Sequence, residues 1–301
     1  MPDPARVSAA LAQATSALLA ELGPNGHWTG ELSSSALSTA TAVTALTLID
    51  PEKHAALIRS GLQWLAANAN ADGGWGDTTR SKSNISTTAL CWAAFGAAEA
   101  DEEFRAIVDR AARWIGNASG ADESHKDPAE RLTHIVSAIE RRYGKDRTFS
   151  VPILMTLALA GRLGADGWRR IPKLPFELAA VSHRLWGALR LPVVSYALPA
   201  LIAIGQVIHH HAPTRNPITR LLRAMARAKT LRVLESIQPV NGGFLEATPL
   251  TSFVTMALAG MGLRNHAVAR RGAEFLIQSA RADGSWPIDT NLATWVTTLA
   301  V

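Results

Sequence analysis

The chain has 301 residues, 48% apolar and 18% charged, which excludes a disordered or low-complexity protein and allows a sizeable core. Its one cysteine, Cys91, excludes an intramolecular disulfide framework and a multi-cysteine zinc site. The net charge of +5 hides an asymmetry: residues 178–234 hold eight Lys and Arg and no Asp or Glu, which leaves −3 for the rest.

The first 22 residues carry Asp3, Glu21 and Arg6 around no long apolar run, so they do not read as a signal peptide. A repeat then sets in. Four places read as an apolar helical stretch, a Gly-containing turn and an aromatic, ending at Trp28, Trp75, Phe244 and Trp286. In each, Gly lies two positions before the aromatic, where a left-handed conformation can close a helix. Ala17, Trp64, Val233 and Phe275 lie eleven positions before the aromatic, and a Leu follows each of them. The spacing predicts helices over 59–67 and 271–279 before the turns. Second helices are expected over 35–48, 86–97, 251–261 and 291–301, each opened by Ser, Thr or Asn as N-cap. Two helices in a period of 47 residues (Trp28 to Trp75) or 42 (Phe244 to Trp286) predict an all-α solenoid or α/α toroid, and strand patterns are scarce.

Other segments read more simply. Cys91 sits in an apolar run as a small buried hydrophobe. Asp101-Glu102-Glu103 reads as the acidic first turn of a helix, and residues 122–142 as a charged loop with an exposed helix face. His209-His210-His211 cannot converge on one metal from consecutive helix positions and suits a helix C-terminus. Residues 191–208 form eighteen uncharged residues broken by Pro199, with Arg184 and Arg190 before them and five bases between His211 and Thr230. That pattern suits monotopic docking on an anionic leaflet through Leu191, Leu198, Leu201 and Ile208, without crossing. Nucleic acid fits less well, since neither a recognised motif nor interleaved exposed aromatics accompany the bases. The apolar stripe of Leu292, Trp295 and Leu299 requires cover from its own toroid or from a partner chain.

The repeat register, with Gln238 midway in the third repeat, resembles the Gln-Trp repeat of squalene-hopene cyclases and related triterpene cyclases. The segments GHWTGE (26–31), LPFEL (174–178) and SWPIDTNLATWVTTL (285–299) follow the order of cyclase N-terminal halves. The Gln position is Leu22, Ala69 and Ala280 in the other repeats, a departure from the family pattern. The resemblance implies a second, non-catalytic cyclase barrel over 1–280 and the first helix of a catalytic barrel over 281–301. It places Ala247, Thr248 and Pro249, and Asp289, Thr290 and Trp295, at a polyprenoid cavity. It implies a peripheral location on the cytoplasmic membrane face, a linear substrate such as squalene, proton-initiated cyclisation, and no metal or redox cofactor. The Asp-x-Asp-Asp proton donor of that family is missing, so no residue here is assigned as catalytic. The chain therefore reads as one part of a cyclase, its acid coming from a missing C-terminal half, with a homo-oligomer as another possible cover. A non-catalytic lipid-binding or scaffolding protein is the rival of another class. A prenyltransferase-like enzyme is a third reading, disfavoured by the missing zinc ligands.

Overall fold

The computed structural model describes residues 3–30, 32–121, 127–181 and 197–301. Among these lie thirteen α-helices and one two-stranded pair, β1 (Ser34–Ser35) with β2 (Trp286–Pro287), antiparallel with Ser35 opposite Trp286. The chain divides into two compact units: Met1–Leu32 with Asp289–Val301, and Ser33–Ile288. This division falls after Ile288 and groups the first 32 residues with the C-terminal segment.

The larger unit holds α2 (Ala36–Ile49), α3 (Ala55–Ala67), α4 (Ile85–Ala97), α5 (Arg105–Ser119), α6 (Pro128–Tyr143), α7 (Arg147–Leu159) and the short α8 (Gly167–Arg170). A 3-10 turn (Phe176–Ala180), α9 (Leu198–His211), α10 (Pro217–Ser236), a second 3-10 turn (Phe244–Glu246), α11 (Thr248–Gly260) and α12 (Ala267–Gln278) follow. Two kinds of helix alternate. Helices α2, α4, α7 and α11 are buried around most of their circumference, with small and hydroxyl residues among the apolar ones. Their hydroxyls fold back on the helix, as Thr44 Oγ1 donates to the Ala40 carbonyl and Thr47 Oγ1 to that of Val43, both at 2.8 Å. Helices α3, α5 and α12 bury one stripe each, such as Val108, Ala111 and Ile115 on α5. The inner packing runs from α2 to α4, α7, α9 and α11, and α11 packs back on α2. The outer helices lie on this series, α3 on α2, α5 on α4, α10 on α9 and α12 on α11.

Capping places several starts differently from the sequence reading. Ser35 caps α2 as expected, but Asn84 rather than Ser86 caps α4, its Oδ1 accepting from the Thr87 amide at 2.9 Å. Helix α11 begins at Thr248, three residues early, where Pro249 in the first turn needs no amide partner. Pro199 likewise stands at the start of α9, so it opens a helix that it was expected to break. Asp101, Glu102 and Glu103 precede α5 and do not form its first turn; they pair instead with Arg162, Arg105 and Arg59. Cys91 is buried.

The smaller unit holds α1 (Pro4–Ala20), opened by Asp3, the turn at Trp28, and α13 (Ala293–Ala300). Neither helix has a fully buried residue. At the start of α13 the side-chain Oδ1 of Asn291 accepts from the Ala293 amide at 2.9 Å.

Candidate functional site

The repeat turns are built by a shared set of hydrogen bonds. Trp28, Trp75 and Trp286 each donate their indole N–H to the carbonyl ten residues earlier, Leu18 at 2.7 Å, Leu65 at 2.9 Å and Leu276 at 2.7 Å. Those carbonyls lie in the last turn of a helix, where the amide four residues on is lost; Leu18 and Leu65 take only longer bonds from the Glu21 amide at 3.2 Å and the Asn68 amide at 3.3 Å, and the indole supplies the shorter one. The repeated Leu eleven minus one positions upstream is therefore the acceptor of the turn aromatic. Phe244 has no such donor. In its repeat the Gln238 side-chain amide ties the turn differently, donating to the carbonyls of Gly242 at 2.9 Å and Val268 at 3.1 Å.

The aromatic's own amide is satisfied by a threonine hydroxyl: Trp75 by Thr88 at 3.0 Å and Phe244 by Thr251 at 2.9 Å, both in the helix that follows. Trp28 and Trp286 exchange partners. Thr39 follows Trp28 by eleven residues, yet it receives the Trp286 amide at 3.0 Å; Thr297 follows Trp286 by eleven, yet it receives that of Trp28 at 3.1 Å. The first helix after Trp28 thereby belongs to the last turn of the larger unit. Each exchanged pair lies within one unit.

The turn carboxylates tie in the outer helices. Asp72 accepts from the Ser83 hydroxyl, the Gly74 amide and the Trp114 indole, and Asp283 from Ser285 and the Trp64 indole. Burial pushes the Asp72 carboxyl up, but these donors outweigh it and hold its pKa below the ordinary value. At Gly284, φ is +85° and a Cβ would lie 2.2 Å from Ser60 Oγ, so only glycine lets the turn approach α3.

The expected cavity residues are placed as follows. Thr248 is buried, and its amide donates to the Ile288 carbonyl at 2.8 Å; Ala247 and Pro249 are half-buried. The loop before them is strained, since Leu245 and Glu246 both have φ of +56° without being glycine. Asp289 and Thr290 are half-buried in the smaller unit, and burial raises the Asp289 pKa. Trp295 points outward at 66% exposure.

The expected lipid contacts separate. Leu191 lies outside the described residues; Leu198 and Leu201 are half-buried; Ile208 is fully buried among Ile202, Ile204 and Val207. A core side chain cannot meet lipid, so Ile208 is corrected to packing. Within the larger unit an exposed apolar surface lies instead on α10: Ile218 at 70%, Leu221 at 62%, Leu222 at 53% and Met225 at 71%; α1 of the smaller unit also exposes Leu11 at 67% and Leu19 at 56%. The 0, 3, 4, 7 spacing on α10 makes one stripe, and Lys229 and Arg232 continue the same face. Arg223 and Thr230 on another side of the helix are buried. The sequence carried this signal as Ile218, Leu221, Leu222 and Met225 between bases, but the longer uncharged run upstream masked it. Among the described residues, no helix is long and apolar enough to cross a membrane.

His209 parts from the other two histidines, whereas the His210 and His211 rings meet edge-on with centroids 4.9 Å apart. His211 stacks on Trp168 with centroids 4.2 Å apart, whereas His209 lies 6.1 Å from the Phe176 ring. Among the described residues, no group of three His, Cys, Asp or Glu is placed to hold a metal ion.

Residues 11–158 match the family model described as squalene-hopene cyclase N-terminal domain. The turns at Phe244 and Trp286 lie beyond the matched residues. No curated protein matches the chain.

Proposed function

We propose that this chain, which belongs to the squalene-hopene cyclase N-terminal domain family through residues 11–158, is a non-catalytic part of a terpene cyclase. On this reading the larger unit is an α/α toroid, and the chain helps to enclose a linear polyprenoid such as squalene at a membrane. The family match carries the proposal. The repeat-turn hydrogen bonds support it, because they continue the same register through Trp286, well past the matched span. The loop at Ala247–Pro249 and the residues Asp289, Thr290 and Trp295 are assigned to polyprenoid contact. Monotopic docking is assigned to the α10 stripe, whose apolar half would enter a leaflet while Lys229 and Arg232 meet anionic headgroups.

The chemistry assigned to the complete enzyme is protonation of a terminal alkene followed by cation-driven ring closure. Residues 1–301 contain no Asp-x-Asp-Asp, so the acid is assigned to a further cyclase segment acting with this chain. The half-buried Asp289 holds its proton more readily than a free carboxyl does, but it stands alone where the family donor needs neighbouring carboxylates. The test is incubation of the purified chain with squalene and gas chromatography of the extract. No polycycle is expected. Clear turnover by this chain alone would overturn the assignment and require an acid within it.

A further inference from the structure

The junction of the Phe176–Ala180 turn with α9 and α10 holds a group of ionisable side chains that the proposed function does not use. Arg223 is buried; its Nε donates to Glu177 Oε2 at 2.9 Å and its Nη2 to the Leu174 carbonyl at 3.2 Å. Its guanidinium carbon lies 5.6 Å from the Phe176 ring centroid. His209 of α9 lies against the same ring, which is buried and packed on Gly205. Lys173 donates its ammonium to the Ala212 carbonyl, just past the end of α9. Helix α10 is thus fastened to the turn by the Arg223–Glu177 ion pair, and both the guanidinium and the imidazole lie against the Phe176 ring.

The Nδ1 atom of His209 is buried and has no hydrogen-bond partner among the described residues. A neutral imidazole can leave that atom as a bare lone pair at modest cost, whereas a protonated one would bury an N–H that finds no acceptor. The charged groups around it make this worse. Arg223 and Arg220 act on it from α10, and Lys173 and Glu177 from the segment before α9, three cations against one carboxylate. On its own helix, His210 is exposed, yet its pKa is also held below the ordinary value, by burial first and then by His211 and Arg227, and it faces Arg227 rather than the Phe176–Ala180 turn; His211 is held by Trp168 and the Gly260 carbonyl at 2.8 Å.

We propose that His209 is a pH-sensitive latch: neutral, it lets the Phe176–Ala180 turn and α10 stay fastened, and protonated, it loosens them. Burial first, then Arg223 and Lys173, hold its pKa below the ordinary 6.5. The fastening is therefore complete above that value. It weakens as pH falls below it toward the lower folded value, because the opened state takes up the proton more readily. Helix α10 also carries the stripe assigned to lipid, but the latch rests on packing inside one unit and is tested without lipid.

The experiment is hydrogen exchange of the full chain at about pH 7.5 and about pH 5, corrected for the intrinsic pH dependence of exchange. Peptides covering the Phe176–Ala180 turn and the first turns of α10 are expected to lose about tenfold protection for each pKa unit of depression. His209→Asn, which cannot take the charge, is expected to hold its protection across the same range, and His210→Asn to behave as wild type. Should His209→Asn lose the local structure at both pH values, the imidazole titration of wild type by NMR decides. It should have its midpoint below 6.5 and coincide with the loss of protection. A His209 midpoint at or above that value, or a His209→Asn chain that loosens with acid as wild type does, would overturn the latch.

Discussion

At the scale of single residues, the repeat is a hydrogen-bonding device as much as a packing one. The amide of Trp286 is buried, and its acceptor is the hydroxyl of Thr39, itself anchored on the Ser35 carbonyl at 2.8 Å. Replacing Thr39 by Val keeps the volume and removes the acceptor, leaving the amide unpaired at a cost of about 1–3 kcal/mol. Urea unfolding should show that loss as a lower midpoint with an unchanged slope. Thr88→Val should behave alike at Trp75, whose amide donates to Thr88 at 3.0 Å. A Thr39→Val loss under about 0.3 kcal/mol would mean that water reaches the amide and that the pairing is incidental. These partners were half-legible in the sequence. The Gly, the aromatic and the upstream Leu recur at fixed positions because they lie in one chain segment. The Thr at Trp286 does not, because its partner comes from a helix 247 residues away.

Among the helices, burial decides which apolar segment is free to bind. Residues 191–208 and the start of α10 both read as apolar neighbours of basic residues, and sequence periodicity alone favoured the longer run. In α9 the apolar residues Ile202 to Ile208 surround a helix packed on α7, α10 and α11, so their hydrophobicity is spent on the core. Helix α10 buries Arg223, Ala226, Thr230 and Leu234, and leaves its stripe of Ile218, Leu221, Leu222 and Met225 exposed. The distinction depends on which sides are covered, which one sequence cannot state. It leads to a contrast of variants in flotation with anionic vesicles. Leu221→Asp combined with Met225→Asp should abolish binding and leave the helical circular dichroism intact, since both sites are solvated. Ile208→Asp should instead lower the thermal midpoint sharply, by burying a carboxylate without a partner. Wild-type binding should weaken as salt is raised. Equal flotation of the double variant and wild type would remove α10 as the docking surface.

For the whole molecule, the exchange of partners between Trp28 and Trp286 sets where the units divide. Continuous pairing along the chain would have put Thr39 with Trp28 and kept 33–49 with the N-terminal segment. The observed pairing hands α2 to Trp286, and the β1–β2 ladder seals the same junction with Ser35 opposite Trp286. A domain boundary read from composition could not find this, because Pro287 and the Asp-Thr that follows look like one more turn. The energetic weight is correspondingly uneven. The large buried side chains, Trp75, Trp286, Phe95 and Phe176 among them, all belong to Ser33–Ile288, whereas α1 and α13 bury no residue fully. Stability that comes from apolar burial should therefore reside in the larger unit. A chain limited to Ser33–Ile288 is expected to unfold in one cooperative step by calorimetry, its midpoint within about 3 °C of the full chain. The full chain should show early hydrogen exchange along α1 and α13, where every apolar residue is at least partly solvated. If the shortened chain loses its cooperative transition, or melts more than about 10 °C lower, the terminal segments carry load that their exposure does not reveal, and the division at Ile288 is not an energetic one.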